Sequence, residues 1–250
     1  MKTRLDKLLL QRGLVPSRER AQALVLAGRV LVNEQKVQKA GAGVEDDARL
    51  RILGDDLPYV SRGGLKLAKA LQYWSIDVRG KTCLDIGAST GGFTDCLLQA
   101  GATKVIAVDT GHGQIDAKLR GDPRLRLLEK TNARYLTAER LSRDGNERQP
   151  ISVIVMDVSF ISATLLLPAV IAAAKADEPQ DLIVLVKPQF EVGREHVGRG
   201  GIVRDSEAQQ TAVERVKGAV REVGGRSIEV IESPILGAEG NREFLLHATF

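Results

Sequence analysis

The chain has 250 residues, 43% hydrophobic and 27% charged, with a net charge of +4 and two cysteines. That length accommodates one sizeable core and a small second module, with a composition ordinary for a soluble globular protein. No apolar run approaches the ~20 residues of a membrane-spanning helix, so a membrane partner is not expected. Cys83 and Cys96 lie inside apolar patterns and make neither a disulfide nor a metal framework. No signal-peptide pattern opens the chain, and a cytoplasmic location is expected.

Charge is unevenly spread. Residues 1–39 carry nine Lys/Arg against three acids, a local +6, while the remaining residues sum to −2. A basic segment on a near-neutral body suits an anionic partner. In that segment "RLDKLLLQRG" has helical spacing and stops at Gly13. A second helix runs through "SRERAQALVLAG", with Ser17 as N-cap and Gly28 beyond its end. "VLVNEQKV" reads as a hairpin turning at Asn33-Glu34-Gln35, and "AGAGVEDDARLRIL" as one further strand. The expected division is an α+β module over 1–53, a linker at 54–59 and a larger domain over 60–250.

In the larger domain "TCLDIG", "KVIAVD", "RLRLLE", "ISVIVMD" and "DLIVLVK" alternate with helical segments, predicting a parallel sheet covered on both faces. A helix over "SEAQQTAVERVKGAVREVG" precedes "RSIEVIESP" and "EFLLHATF", an antiparallel finish. "CLDIGASTGGFTDCLL" is a strand, glycine loop and helix start. Its spacing departs from the dinucleotide fingerprint G-x-G-x-x-G, and Asp85 at the strand end would repel a pyrophosphate. A cationic ligand with an amino-acid ammonium, as in S-adenosylmethionine, fits better. Asp109 ends the next strand, where an acid can bond a ribose diol. Asp157 and Lys187 end the following apolar strands. There is no Asn/Asp-Pro-Pro-aromatic motif, and neither cysteine sits in a strand-end loop, so base-amino and cysteine-dependent base methylation are disfavoured.

"SRGGLKL" at 61–67, "DIGASTGGFTD" at 85–95, "DVSFIS" at 157–162, "VKPQFEVGR" at 186–194 and "GNREFL" at 240–245 resemble, in this order, the TlyA family. These are bacterial ribosomal-RNA 2′-O-methyltransferases also labelled hemolysin A. The catalytic domain is similar to FtsJ/RrmJ-like enzymes, and the N-terminal module to the alpha-L RNA-binding motif. The resemblance implies a Rossmann-like class I fold with an antiparallel last strand, S-adenosylmethionine as cofactor, and ribosomal RNA or ribosomal subunits as partners. It also implies methylation of a cytidine in 23S and possibly 16S rRNA.

Carried over by motif, the resemblance implies a catalytic set of Lys66, Asp157, Lys187 and Glu243; Lys69 lies one helical turn beyond Lys66. Lys187 is expected to act as general base, its amine freed of its proton by desolvation and by the charge of Lys66. Asp85, Gly87, Ser89, Gly91 and Gly92 are expected around the methionine end of the cofactor, Asp109 on its ribose and Asn132 at its adenine. Phosphates are expected on Arg4, Lys7, Arg18, Arg20, Arg29, Lys36, Arg62, Arg194, Arg199 and Arg204. Phe160 and Phe190 are expected either to hold one flipped nucleotide or to pack beside the strand ends. Residues 188–205 read as a mobile cover. No metal site is expected. Two competing readings are an RNA-binding assembly factor without catalysis, and, from the hemolysin label alone, a membrane-lytic protein.

Overall fold

The computed structural model describes residues 2–15, 17–53, 57–142, 150–175, 178–237 and 240–250. Contacts divide the chain into two compact units, Met1–Leu57 and Pro58–Phe250. Residues 54–56 of the expected linker lie outside the described residues.

In the first unit the chain runs β1 (Lys2–Arg4), α1 (Leu5–Gln11), α2 (Arg18–Leu26), β2 (Val30–Val32), β3 (Gln35–Lys36), β4 (Gly43–Glu45) and β5 (Leu50–Ile52). Leu5, Leu8 and Leu9 of α1 pack on Ala21, Leu24 and Val25 of α2, with Val30 and Val44 beneath. Ser17 caps α2 by accepting the Arg20 N–H, and Gly28 takes a left-handed φ of 66° past its end, as expected. The segment read as one strand contains two, and β1 was not foreseen. β4 pairs antiparallel with β1, while β5 pairs with β2. Pieces of three residues carry too little alternation to register as strands; tertiary pairing creates them. The hairpin turn places Asn33 and Glu34 at φ 50° and 66°, the geometry of a two-residue turn with both central residues left-handed.

The second unit is built on one sheet. After α3 (Gly63–Tyr73) come β6 (Thr82–Ile86), α4 (Gly92–Gln99), β7 (Lys104–Val108), α5 (Ala117–Arg120), β8 (Leu125–Leu128), α6 (Ala138–Leu141) and β9 (Ile151–Met156). Then follow α7 (Leu167–Ala174), β10 (Asp181–Val186), α8 (Pro188–Glu191), α9 (Ser206–Glu222), β11 (Arg226–Glu232) and β12 (Phe244–Thr249). The strand order is β11-β12-β10-β9-β6-β7-β8. β6 to β10 pair in parallel, and β12 runs antiparallel between β10 and β11.

Every residue of β6 is buried, as a sheet covered on both faces requires. One core joins Leu84, Ile154, Met156 and Val184 to α7 and α9; the other joins Cys83, Val105, Val155 and Ile183 to α3 and α4. The order reverses between β6 and β9, so their C-terminal ends splay connections to opposite sides. Ligands settle in the crevice such a reversal opens.

Candidate active site

The chain leaves β6 through Gly87 at φ 84°, where an added Cβ would lie 2.5 Å from the Asp157 carbonyl oxygen. Only glycine allows the loops after β6 and β9 to touch there. A Cβ on Gly92 would collide with the Ser61 hydroxyl, so α3 and the start of α4 also meet closely. Asp109, just past β7, accepts the Ser89 N–H (2.8 Å) on one oxygen and the Gly111 N–H (2.6 Å) on the other. It thereby ties the glycine loop to its neighbour.

Two cavities flank this loop. One, of about 590 Å³, is walled by Arg62, Lys66, Gly87, Ser89, Gly92, Asp157, Ser159, Phe160, Lys187, Gln189, Phe190 and Glu243. The other, of about 390 Å³, is walled by Gly87, Ser89, Val108, Asp109, Thr131, Asn132, Ala133, Asp157, Ser159, Phe160 and Leu166. They share Gly87, Ser89, Asp157, Ser159 and Phe160.

The four residues of the expected catalytic set converge on the first cavity. Lys187 Nζ lies 2.6 Å from Asp157 Oδ1, off the line of a well-directed hydrogen bond, and donates to Ser159 Oγ at 2.8 Å. Lys66, buried on α3, pairs with the buried carboxylate of Glu243. Each lysine therefore faces its own carboxylate, and the Lys66 charge expected to act on Lys187 is balanced by Glu243. Lys69 points away, exposed, with its Nζ 5.6 Å from the Tyr73 ring centre.

Asp85 and Gly91 stand behind the cavity walls. Asp85 is fully buried and accepts the Thr94 hydroxyl at 2.6 Å; its other oxygen has no hydrogen-bond partner among the described residues. Burial pushes its carboxyl up to about 7; the Thr94 bond opposes this and the Asp157 charge adds to it. Gly91 packs beneath the loop against Ile115 and Leu119.

Phe160 is 92% exposed, at a left-handed φ of 65°, with its ring centre 5.4 Å from that of Phe190. Phe160 is thus not packed into the core, whereas Phe190 is half-buried. Ser159 and Gln189 were missed. Ser159 was visible in "DVSF", but only the fold brings its hydroxyl to Lys187.

The expected phosphate contacts divide into two groups. Arg4 and Arg18 both bond the buried carboxylate of Asp6, joined by Gln22, and hold its pKa well below the usual range. Arg29 donates to the Leu53 carbonyl at 2.8 Å. These three support the fold of the first unit, whereas Lys7 and Lys36 are exposed. In the second unit Arg62, Arg194, Arg199 and Arg204 are exposed, with no carboxylate partner among the described residues. Residues 188–205, expected as a mobile cover, carry local structure. Glu191 is buried, Arg194–His196 form a 3-10 turn, and Gly198 bridges to Ile202.

Comparison with known proteins decides the family. Residues 59–250 match the FtsJ-like methyltransferase model and residues 3–50 the S4 domain. The 16S/23S rRNA (cytidine-2′-O)-methyltransferase TlyA of Mycobacterium tuberculosis is 43% identical over 246 residues, 98% of this chain and 89% of the relative. The chain belongs to the FtsJ-like methyltransferases, in the TlyA family. A solved structure from Streptococcus thermophilus, titled as a hemolysin, is 42% identical with a TM-score of 0.75, covering 99% of this chain and 88% of that one. An S-adenosylmethionine-dependent methyltransferase from Mesorhizobium loti shares the fold at 15% identity, with a TM-score of 0.51 over 72% of this chain and 96% of that one. Among the described residues no helix is long and apolar enough to cross a membrane.

The FtsJ-like unit has the fold of S-adenosylmethionine-dependent enzymes, and its smaller cavity fits that cofactor. Val108, Ala133 and Leu166 offer apolar faces to an adenine. Each Asp109 oxygen retains a lone pair for a ribose hydroxyl beyond its amide bond. Asn132 spends its side-chain oxygen on the Arg134 N–H and keeps its amide donors.

Proposed function

We propose that the protein methylates the ribose 2′-hydroxyl of a cytidine in 23S ribosomal RNA, with 16S rRNA as a second substrate, working on intact ribosomal subunits. The observation that carries this reading is the meeting of Lys66, Asp157, Lys187 and Glu243 on one cavity that shares its Gly87–Asp157 wall with a nucleoside-sized one.

S-adenosylmethionine supplies an electrophilic methyl on its sulfonium. Gly87, Ser89, Asp109 and Asn132 hold the cofactor, and Asp85, Gly91 and Gly92 shape the loop beneath it. Lys187, as its amine, takes the proton of the 2′-hydroxyl as that oxygen bonds to the methyl group the cofactor would supply. Asp157 aims that amine and stabilises the ammonium it becomes. The Lys66–Glu243 pair orients the ribose, its charges balanced in a buried setting where a lone ion is strongly disfavoured. Holding hydroxyl and methyl in near-attack alignment contributes several kcal/mol, on the order of the effective-molarity advantage of oriented reactants.

Phe160 and Phe190 stack on one flipped nucleotide. Arg62, Arg194, Arg199 and Arg204 in the FtsJ-like unit, and Lys7, Arg20 and Lys36 in the S4 unit, meet phosphates. Arg4, Arg18 and Arg29 hold the fold of the S4 unit behind that surface. Such binding is salt-dependent.

Lys187→Ala is expected to abolish methyl transfer to ribosomal RNA with cofactor affinity nearly unchanged. The measurement is tritium transfer from labelled cofactor to intact subunits, followed by mapping of the nucleotide, with calorimetry for the cofactor. Wild-type turnover in that variant removes the general-base assignment.

A further inference from the structure

Glu191 closes α8, four residues beyond Lys187, and has no part in the steps above. Its side chain is 3% exposed. One carboxylate oxygen accepts the Ser162 hydroxyl at 2.5 Å and the other the Ala163 N–H at 2.8 Å. Its own carbonyl accepts Arg215 Nη1 from α9 at 2.7 Å. A buried carboxyl is unfavourable unless its bonds are needed, and a leucine would fill the same space.

Those bonds join two strand-end loops. Ser162 and Ala163 open the 3-10 turn Ala163–Leu165 in the loop after β9, which also carries Asp157, Ser159 and Phe160. Glu191 belongs to the loop after β10, with Lys187 and Phe190. The loops are thus bridged twice: once by Lys187 to Asp157 and Ser159, and once by Glu191 to Ser162 and Ala163. Between the bridges stand the rings of Phe160 and Phe190, 5.4 Å apart. Phe160 holds its left-handed backbone only two residues before Ser162. Such strain persists where surrounding bonds over-determine the position.

We infer that Glu191 is a positioning residue, a clamp that fixes the spacing of the Phe160 and Phe190 rings and, through the shared loop, the aim of the Lys187 amine. This rests on reading the cavity as the methyl-transfer site. Glutamine preserves the clamp: its carbonyl accepts the Ala163 N–H, and its amide donates to Ser162, whose hydroxyl can reverse. Alanine does not.

The test compares wild type, Glu191→Gln, Glu191→Ala and Ser162→Ala, using the full chain. Methyl transfer to ribosomal RNA, cofactor affinity and amide hydrogen exchange over residues 159–166 are measured in each. Glu191→Ala is expected to lower kcat by about tenfold or more, the scale of a misplaced reacting group, with cofactor affinity unchanged and the Ala163 amide deprotected. Glu191→Gln keeps both turnover and protection, and Ser162→Ala falls between. If Glu191→Ala does not fold, Ser162→Ala reads the same bridge alone. The clamp is overturned if Glu191→Gln is as impaired as Glu191→Ala, or if protection at 159–166 survives Glu191→Ala. Lost protection with wild-type kcat overturns the positioning role. Should wild type itself transfer no methyl group to ribosomal RNA, the proposed function fails separately, and the exchange comparison still decides whether the loops are clamped.

Discussion

Asp85 shows how a residue beneath a cavity loop can bear on stability without lining the cavity. Burial pushes its carboxyl up to about 7 from an unfolded value near 4. The folded chain therefore keeps a proton that the unfolded chain releases between those limits. This group's contribution to stability falls as pH rises from about 4 to about 7 and is lowest above 7. Asp85→Asn keeps an acceptor for Thr94 and has no charge to bury. Its advantage over wild type should be absent near pH 4 and grow to a few kcal/mol, on the order of 4 by linkage, at pH 8. Urea unfolding of both proteins at several pH values measures it; a pH-independent difference contradicts the buried, protonated state. The sequence placed Asp85 at the strand end, but strand position alone does not distinguish an acid on a cavity wall from one behind it.

At the scale of elements, the long apolar strands and the glycine loop were legible because two-sided burial leaves continuous runs of Val, Ile and Leu. The order of the Lys66, Asp157, Lys187 and Glu243 motifs was legible too, but their pairing was not. Which carboxylate faces which lysine depends on β12 entering between β10 and β11. Composition was least informative at residues 188–205, where glycines and arginines suggested a mobile cover and gave no sign of the bonds the segment makes. Asn241, only 1% exposed, holds that segment from outside it, accepting the Val203 N–H at 3.0 Å and donating to the Gly201 carbonyl at 2.8 Å. Gln209 adds a bond to the Val203 carbonyl at 2.7 Å. Asn241→Ala leaves buried groups unpaired, a loss of about 1–3 kcal/mol. It should open the segment to trypsin at Arg199 and Arg204. Unchanged cleavage would show that Gln209 and the Gly198–Ile202 bridge suffice.

For the whole molecule, the relevant division is between two units with separate cores. The S4 unit packs around Leu5, Leu9 and Leu24, and the FtsJ-like unit around its seven-stranded sheet. The excess positive charge of residues 1–39 belongs to the first, while the cavity residues named for cofactor and ribose belong to the second. Removing residues 1–53 should weaken ribosomal-RNA binding and flatten the dependence of log affinity on log salt, because fewer counterions are released. Cofactor affinity should not change. Filter binding at several salt concentrations, beside calorimetry, tests both; an unaltered slope denies the S4 unit its phosphates.

The pairing of Lys66 with Glu243 spans 177 positions of sequence. Closing a contact across so much chain costs loop entropy, and such sequence-distant pairs are the kind that slow folding. Lys66 stands on α3, ahead of the first strand of its sheet, and the loop ahead of β12, the last strand, supplies the matching carboxylate. The pair proposed to orient the ribose is thus complete only when the segment leading into the final strand is in place. A chain still growing, or one that stops short of Glu243, lacks that pair together with the inner strand that follows it.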